Sequence, residues 1–207
     1  MAAITSPEVH DDHSDGHHDH HATSTGLSNN KLGMWVFLGS ECLLFGGLMS
    51  TYLLYKNRTL TGPSPAELYD IPFTSVTSFI LLMSSLTMVL SLSAVQRDDQ
   101  DNAKLWMLTT ALLGMTFLAA QVYEFTVFVE EGMGFTTSVS SSAFFTLTGF
   151  HGVHVFIGVL MLMSLFVMTV RGRLHSGNSE TVEIVGLYWH FVDLVWVIIF
   201  TIIYLIP

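Results

Sequence analysis

From residue 32 onward, long apolar runs alternate with short polar ones. Five of these runs, at about 32–55, 72–96, 103–129, 142–170 and 184–206, reach the ~20 residues that a helix rising ~1.5 Å per residue needs to cross ~30 Å of hydrocarbon. They lack the apolar–polar alternation of barrel strands, and a bilayer core admits only helices or closed barrels, because every backbone amide must be paired. The pattern therefore predicts an all-α polytopic membrane protein, a bundle of five transmembrane helices. The first span is closed by a polar turn containing Gly62, Pro63 and Pro65. The second carries no charge and is rich in Ser78, Ser84, Ser85, Ser91 and Ser93, small hydroxyl residues that let helices approach closely and bond to their own turn.

Residues 1–31 differ from everything that follows. Six histidines and four aspartates fall between His10 and His21, which predicts a solvated His/Asp-rich tail ahead of a membrane domain at 32–207. The tail lacks the basic start and apolar middle of a secretory signal, so no cleavage is expected. Its imidazoles suit Zn, Cu or Ni ions, but tails of this kind collect metals in solution whether or not the cell uses them, so no physiological metal is assigned.

Composition agrees with membrane burial. Half of the 207 residues are hydrophobic and 12% are charged, against about 25% in soluble domains. A formal charge of −10 gives no phosphate-binding footprint, so nucleic acid is excluded as a partner. The single cysteine, Cys42, precludes an intrachain disulfide. Lys31, Arg97, Lys104, Arg171 and Arg173 fall on one side of the predicted spans, and Lys56 and Arg58 on the other. The positive-inside bias then puts the N-terminus in the cytoplasm and the C-terminus outside.

Ionisable residues within a membrane are costly, and each is a functional candidate by default. Six qualify: Glu41, Glu124, His151, His154, His190 and Asp193. Glu41, alone in an apolar span, reads either as a proton-exchanging acid or as a packing contact to a neighbouring helix. His151 and His154 share a helix face, which favours interhelical hydrogen bonding, with Glu41 as a conjectured partner, over metal ligation. His190 and Asp193 also share a face and could pass a proton. Being close to the start of the fifth span, they equally fit the membrane interface, with Trp189 and Trp196 as interface aromatics. Glu124, with Gln121, reads as a polar contact near the membrane edge.

Three function classes survive: an accessory subunit of a membrane complex, a small transporter, and a membrane enzyme with its own site. No phosphate-binding glycine loop or nucleophile–base spacing supports the enzyme, and the loops are too short for a catalytic domain. A transporter should show broken helices or inverted repeats, whereas these spans are continuous and odd in number. An accessory subunit needs only packing faces and a few polar locks.

Four strings, GMWVFLGSECLLFGGLMSTYLL, LLGMTFLAAQVYEF, FFTLTGFHGVHVFIG and GLYWHFVDLVWVIIFTIIYL, resemble subunit III of the haem-copper terminal oxidases. The likeness covers residues 32–207 and is strongest to the short five-helix bacterial form of aa3- and caa3-type cytochrome c oxidases; quinol oxidases have a similar form. The resemblance implies a bacterial cell-membrane subunit without catalytic centre, haem or copper of its own. It implies oxidase subunits I and II as partners carrying those cofactors, a small subunit IV as a further candidate partner, and bound phospholipid. In such a complex the subunit supports sustained proton uptake during O2 reduction. The family's intramembrane glutamate falls on Glu41, its fourth-helix histidines on His151 and His154, and its last-helix motif on Trp189, His190, Asp193 and Trp196. Two N-terminal helices of the longer form are missing.

Overall fold

The computed structural model describes residues 28–56 and 69–206. Five helices are long and apolar enough to span a membrane, and no strand occurs among the described residues. They are α1 (Asn29–Tyr55), α2 (Ile71–Gln96), α3 (Gln100–Glu130), α4 (Val139–Val170) and α5 (Ser179–Phe200). A single 3-10 turn, Ser176–Asn178, precedes α5, and a π-helical turn, Thr201–Leu205, closes it. The expected tail, residues 1–31, lies outside the described residues up to position 27; its last three residues already belong to α1.

Each helix begins ahead of the apolar run that predicts it, and four of the five starts are set by polar caps. Ser28, Asp70, Asp99 and Ser138 each accept a backbone N–H of the first turn through their side chains, satisfying donors that a helix start leaves open. Two ends need glycine. Gly132 and Gly172 have φ of +88° and +65°, and each allows the next residue to bond back across the end of its helix, Met133 to Phe128 and Arg173 to Met168. This left-handed closure is costly for residues with a Cβ. Asp98, at φ 56°, closes α2 in the same way, and its Oδ1 accepts the Ser176 N–H at 2.8 Å. That bond ties the α2–α3 turn to the segment before α5.

α5 is the hub: it packs on α1, α2 and α4, while α3 bridges α2 and α4. Trp189 and Trp196 point inward, at 1% and 2% exposure. α1 rests on α4 and α5 and is the least covered span, its most apolar window being 11% buried against 50% for α5. Lys31, Arg97, Lys104, Arg171 and Arg173 gather at one end of the bundle, with Lys56 at the other.

Candidate functional site

Glu41 and His154 meet between α1 and α4, with Oε2 and Nε2 3.2 Å apart. The His154 Nδ1 lies 2.7 Å from the Phe150 carbonyl. A carbonyl can only accept, so Nδ1 carries hydrogen, and the pair holds one proton between Nε2 and Oε2, as imidazole with carboxylic acid or as imidazolium with carboxylate. Phe45 covers both histidines edge-on, 6.4 Å from His151 and 5.1 Å from His154 between centroids.

His151 does not join this contact. It is fully buried, stacked on Trp196 at 4.9 Å, and neither ring nitrogen has a hydrogen-bond partner among the described residues. Its neighbours are aromatic, Phe45, Phe117 and Trp196.

Near the opposite end of the bundle from Lys31, Glu124 Oε1 accepts from Thr74 Oγ1 and from the Tyr204 hydroxyl, both at 2.9 Å. One carboxyl oxygen thus joins α2, α3 and the π turn after α5. The Tyr204 ring packs on Tyr69 at 4.5 Å, and the Tyr69 and Tyr52 hydroxyls are 3.3 Å apart. Burial pushes the Tyr69 phenol well above its ordinary range, so it stays protonated and able to donate.

The fifth-helix motif lies further along its helix than the sequence indicates. Because α5 starts at Ser179 rather than near 184, His190 stands about 16 Å along the helix from its first residue. The early start has a physical cause: Glu180 and Glu183 are engaged by Ser28 and Lys31 of α1, which holds a polar stretch in helical form. Trp189 and Trp196, expected as interface aromatics, stand inside the bundle instead. Both are core residues, and their indole N–H groups donate to Ser84 at 3.0 Å and Ser78 at 2.8 Å. Each serine in turn donates to its own helix, at Leu81 and Thr74. Two indoles seven residues apart on α5 thereby meet two hydroxyls six apart on the antiparallel α2.

His190 Nδ1 lies 2.6 Å from Ser85 Oγ, and Asp193, 5% exposed, leaves Oδ1 without a partner among the described residues. The six intramembrane residues therefore form separate contacts rather than one connected network. Sequence reading missed Thr74, Ser78, Ser84, Ser85, Tyr69 and Tyr204 as partners. The only signal available was the density of hydroxyls on the charge-free α2. Among the described residues, no three histidine, cysteine or acidic side chains converge as a metal would require.

Fold and contacts define a polytopic helical membrane protein whose buried polar groups join helix to helix. Residues 8–206 match the family Cytochrome c oxidase subunit III, and the chain belongs to that family. It is 43% identical over 187 residues to cytochrome c oxidase subunit 3 of Bacillus sp. (strain PS3), covering 90% of each chain. It is 39% identical to a probable quinol oxidase subunit 3 of Staphylococcus saprophyticus, covering 86% of this chain and 89% of that one. With quinol oxidase subunit 3 of Bacillus subtilis it shares 38%, over 85% and 86%.

Proposed function

We propose that this chain serves a proton-pumping cytochrome c oxidase of a bacterial cell membrane, packed beside subunits I and II, which carry the haem and copper. As a subunit III it is part of an oxygen-reducing terminal oxidase. Cytochrome c as donor is the finer reading, and the 43% identity to a cytochrome c oxidase subunit 3 is the observation that carries it. A quinol-oxidizing complex is the second reading, favoured by relatives at 38–39% that are quinol oxidase subunits.

The buried contacts support a role in holding and steadying the complex. Glu41 acts as a polar lock between α1 and α4, with His154 as its partner, and Glu124 acts as a lock for α2, α3 and the end of α5. An apolar groove of about 560 Å³ between α3 and α4, lined by Leu118, Val122, Phe156 and Leu160 among others, suits a phospholipid acyl chain. The charge asymmetry of the two ends supports a cytoplasmic N-terminus and an outer C-terminus.

The test is purification from native membranes in mild detergent through a C-terminal tag, with a reduced-minus-oxidised spectrum and subunit pattern of the eluate. Haem a bands with two larger subunits, and oxidation of reduced cytochrome c, are the expected result. Activity with quinol alone overturns the donor, and a haem-free protein running alone overturns the assembly.

A further inference from the structure

A cleft of about 320 Å³ opens between α1, α2 and α5 at the end of the bundle that carries Lys31. Its mouth is the Lys31–Glu183 ion pair. Its walls are Trp35, Leu92 and Leu187, and it reaches His190, two helical turns below Glu183. Polarity returns at that depth. His190 Nδ1 is engaged by Ser85 Oγ at 2.6 Å. Asp193, one turn beyond His190, shares its face of α5 and lies within electrostatic reach of Ser85. Asp193 is buried, with Oδ1 unpartnered among the described residues. Buried acceptors without partners are rare in folded proteins and call for an explanation.

The α3–α4 groove provides a contrast. It is larger, at about 560 Å³, but is lined wholly by apolar side chains and offers water nothing to bond. The α1–α2–α5 cleft has charged groups at its mouth, an imidazole at its floor and a hydroxyl beyond it. Its volume is roughly ten times that of one water molecule in the liquid. Water is stable where a cavity is both roomy and supplied with polar partners, and of the two spaces only this one meets both conditions.

We propose that this cleft is a hydrated inlet, admitting water from the Lys31 end of the bundle to His190 and exchanging protons with a His190–Ser85–Asp193 relay. A proton taken up at His190 Nε2 is matched by one leaving Nδ1 for Ser85 Oγ, whose own proton passes to the Asp193 carboxylate. The reverse sequence returns it, and no electron moves. The charged and titratable groups facing the relay are Lys31 from α1 and Glu183 and Asp193 from α5; α2 contributes the Ser85 hydroxyl. The inference goes beyond the oxidase assignment. It rests on the membrane-spanning fold and holds whichever electron donor the complex uses.

The test uses the intact complex in sealed membrane vesicles, with Cys42→Ala as background and a charged, membrane-impermeant thiol reagent. Leu92→Cys and Leu187→Cys report on the cleft. Gly177→Cys, exposed before α5 at the same end, identifies the accessible face, and Leu160→Cys reports on the apolar groove. Labelling of both cleft cysteines from the face that labels Gly177→Cys, with Leu160→Cys unlabelled, is expected. Unlabelled cleft cysteines beside a labelled Gly177→Cys overturn the inlet, because lipid or a partner then fills the space. Equal labelling of Leu160→Cys overturns it as well. For the relay, the infrared difference between acid and alkaline pH should carry a carboxyl signal that disappears in Asp193→Asn. A wild-type difference spectrum identical to that of Asp193→Asn overturns the exchange.

Discussion

The indole of Trp189 stands where a side chain on Gly158 would begin: its Cε3 is 2.7 Å from the position that a Cβ would take. α5 thus wedges its largest residue against the bare backbone of α4, and Gly114 admits the same ring from α3. Bulk at either glycine must displace a ring that is also fixed by its bond to Ser84.

Gly158→Leu should therefore destabilise the subunit by about 1–3 kcal/mol, the usual cost of overpacking a core. Gly46→Ala, on the open face of α1 with nothing within 4 Å of its Cβ position, should be neutral or slightly stabilising, since alanine is favoured over glycine within a helix by ~1 kcal/mol. Thermal unfolding of the purified complex, followed by retention of the subunit, separates the two.

Glu41→Gln keeps a hydrogen-bonding group opposite His154 and should leave protons pumped per electron unchanged. Glu41→Leu strands the His154 Nε2 and should cost about 1–3 kcal/mol in subunit stability. Proton release by oxidase vesicles gives the first readout and subunit retention the second. Loss of pumping in an assembled Glu41→Gln complex would remove the locking role.

His151→Phe should be tolerated or stabilising, despite removing a histidine from the heart of the bundle. The ring makes stacking contacts and, among the described residues, no hydrogen bond, and phenylalanine preserves the former without burying unpaired nitrogens. A loss of more than about 2 kcal/mol in denaturation would show that the imidazole has a polar partner.

Asp98 gives a pH-dependent contact at the Lys31 end. The Ser176 N–H donated to it holds its carboxyl below the ordinary range. A depressed value means that the contact contributes above the unfolded pKa of about 3.9 and is lost as pH falls through the lower folded value. Protection of the Ser176 amide from hydrogen exchange should decline in acid, whereas in Asp98→Asn, which can still accept the bond, the relative protection should not follow pH.

The five spans were legible because ~20-residue apolar runs have one physical solution in a bilayer. Their starts were not, because hydropathy cannot see that Ser28 or Asp70 caps a helix, or that Lys31 steadies the acidic first turns of α5. Glu41 and His154 could be suspected as partners, as two polar groups in apolar surroundings, although spacing within one helix never tells which helices touch. The same limit hid the pairing of Trp189 with Ser84 and of Trp196 with Ser78. Indoles near a helix start read as interface anchors until the face they occupy is known, and for Trp189 and Trp196 that face is turned to Ser84 and Ser78.

The π turn at Thr201–Leu205, closed by Ile206 N–H bonding to the Thr201 carbonyl at 3.1 Å, acts as a phase adjuster. An α-helix advances ~100° per residue, and the wider turn absorbs one residue of that rotation before Tyr204. Deleting a single residue between 201 and 203 would restore ordinary winding, and the Tyr204 hydroxyl would then swing away from Glu124. The last turn of the chain thereby sets, by residue count alone, whether the far end of the bundle is latched.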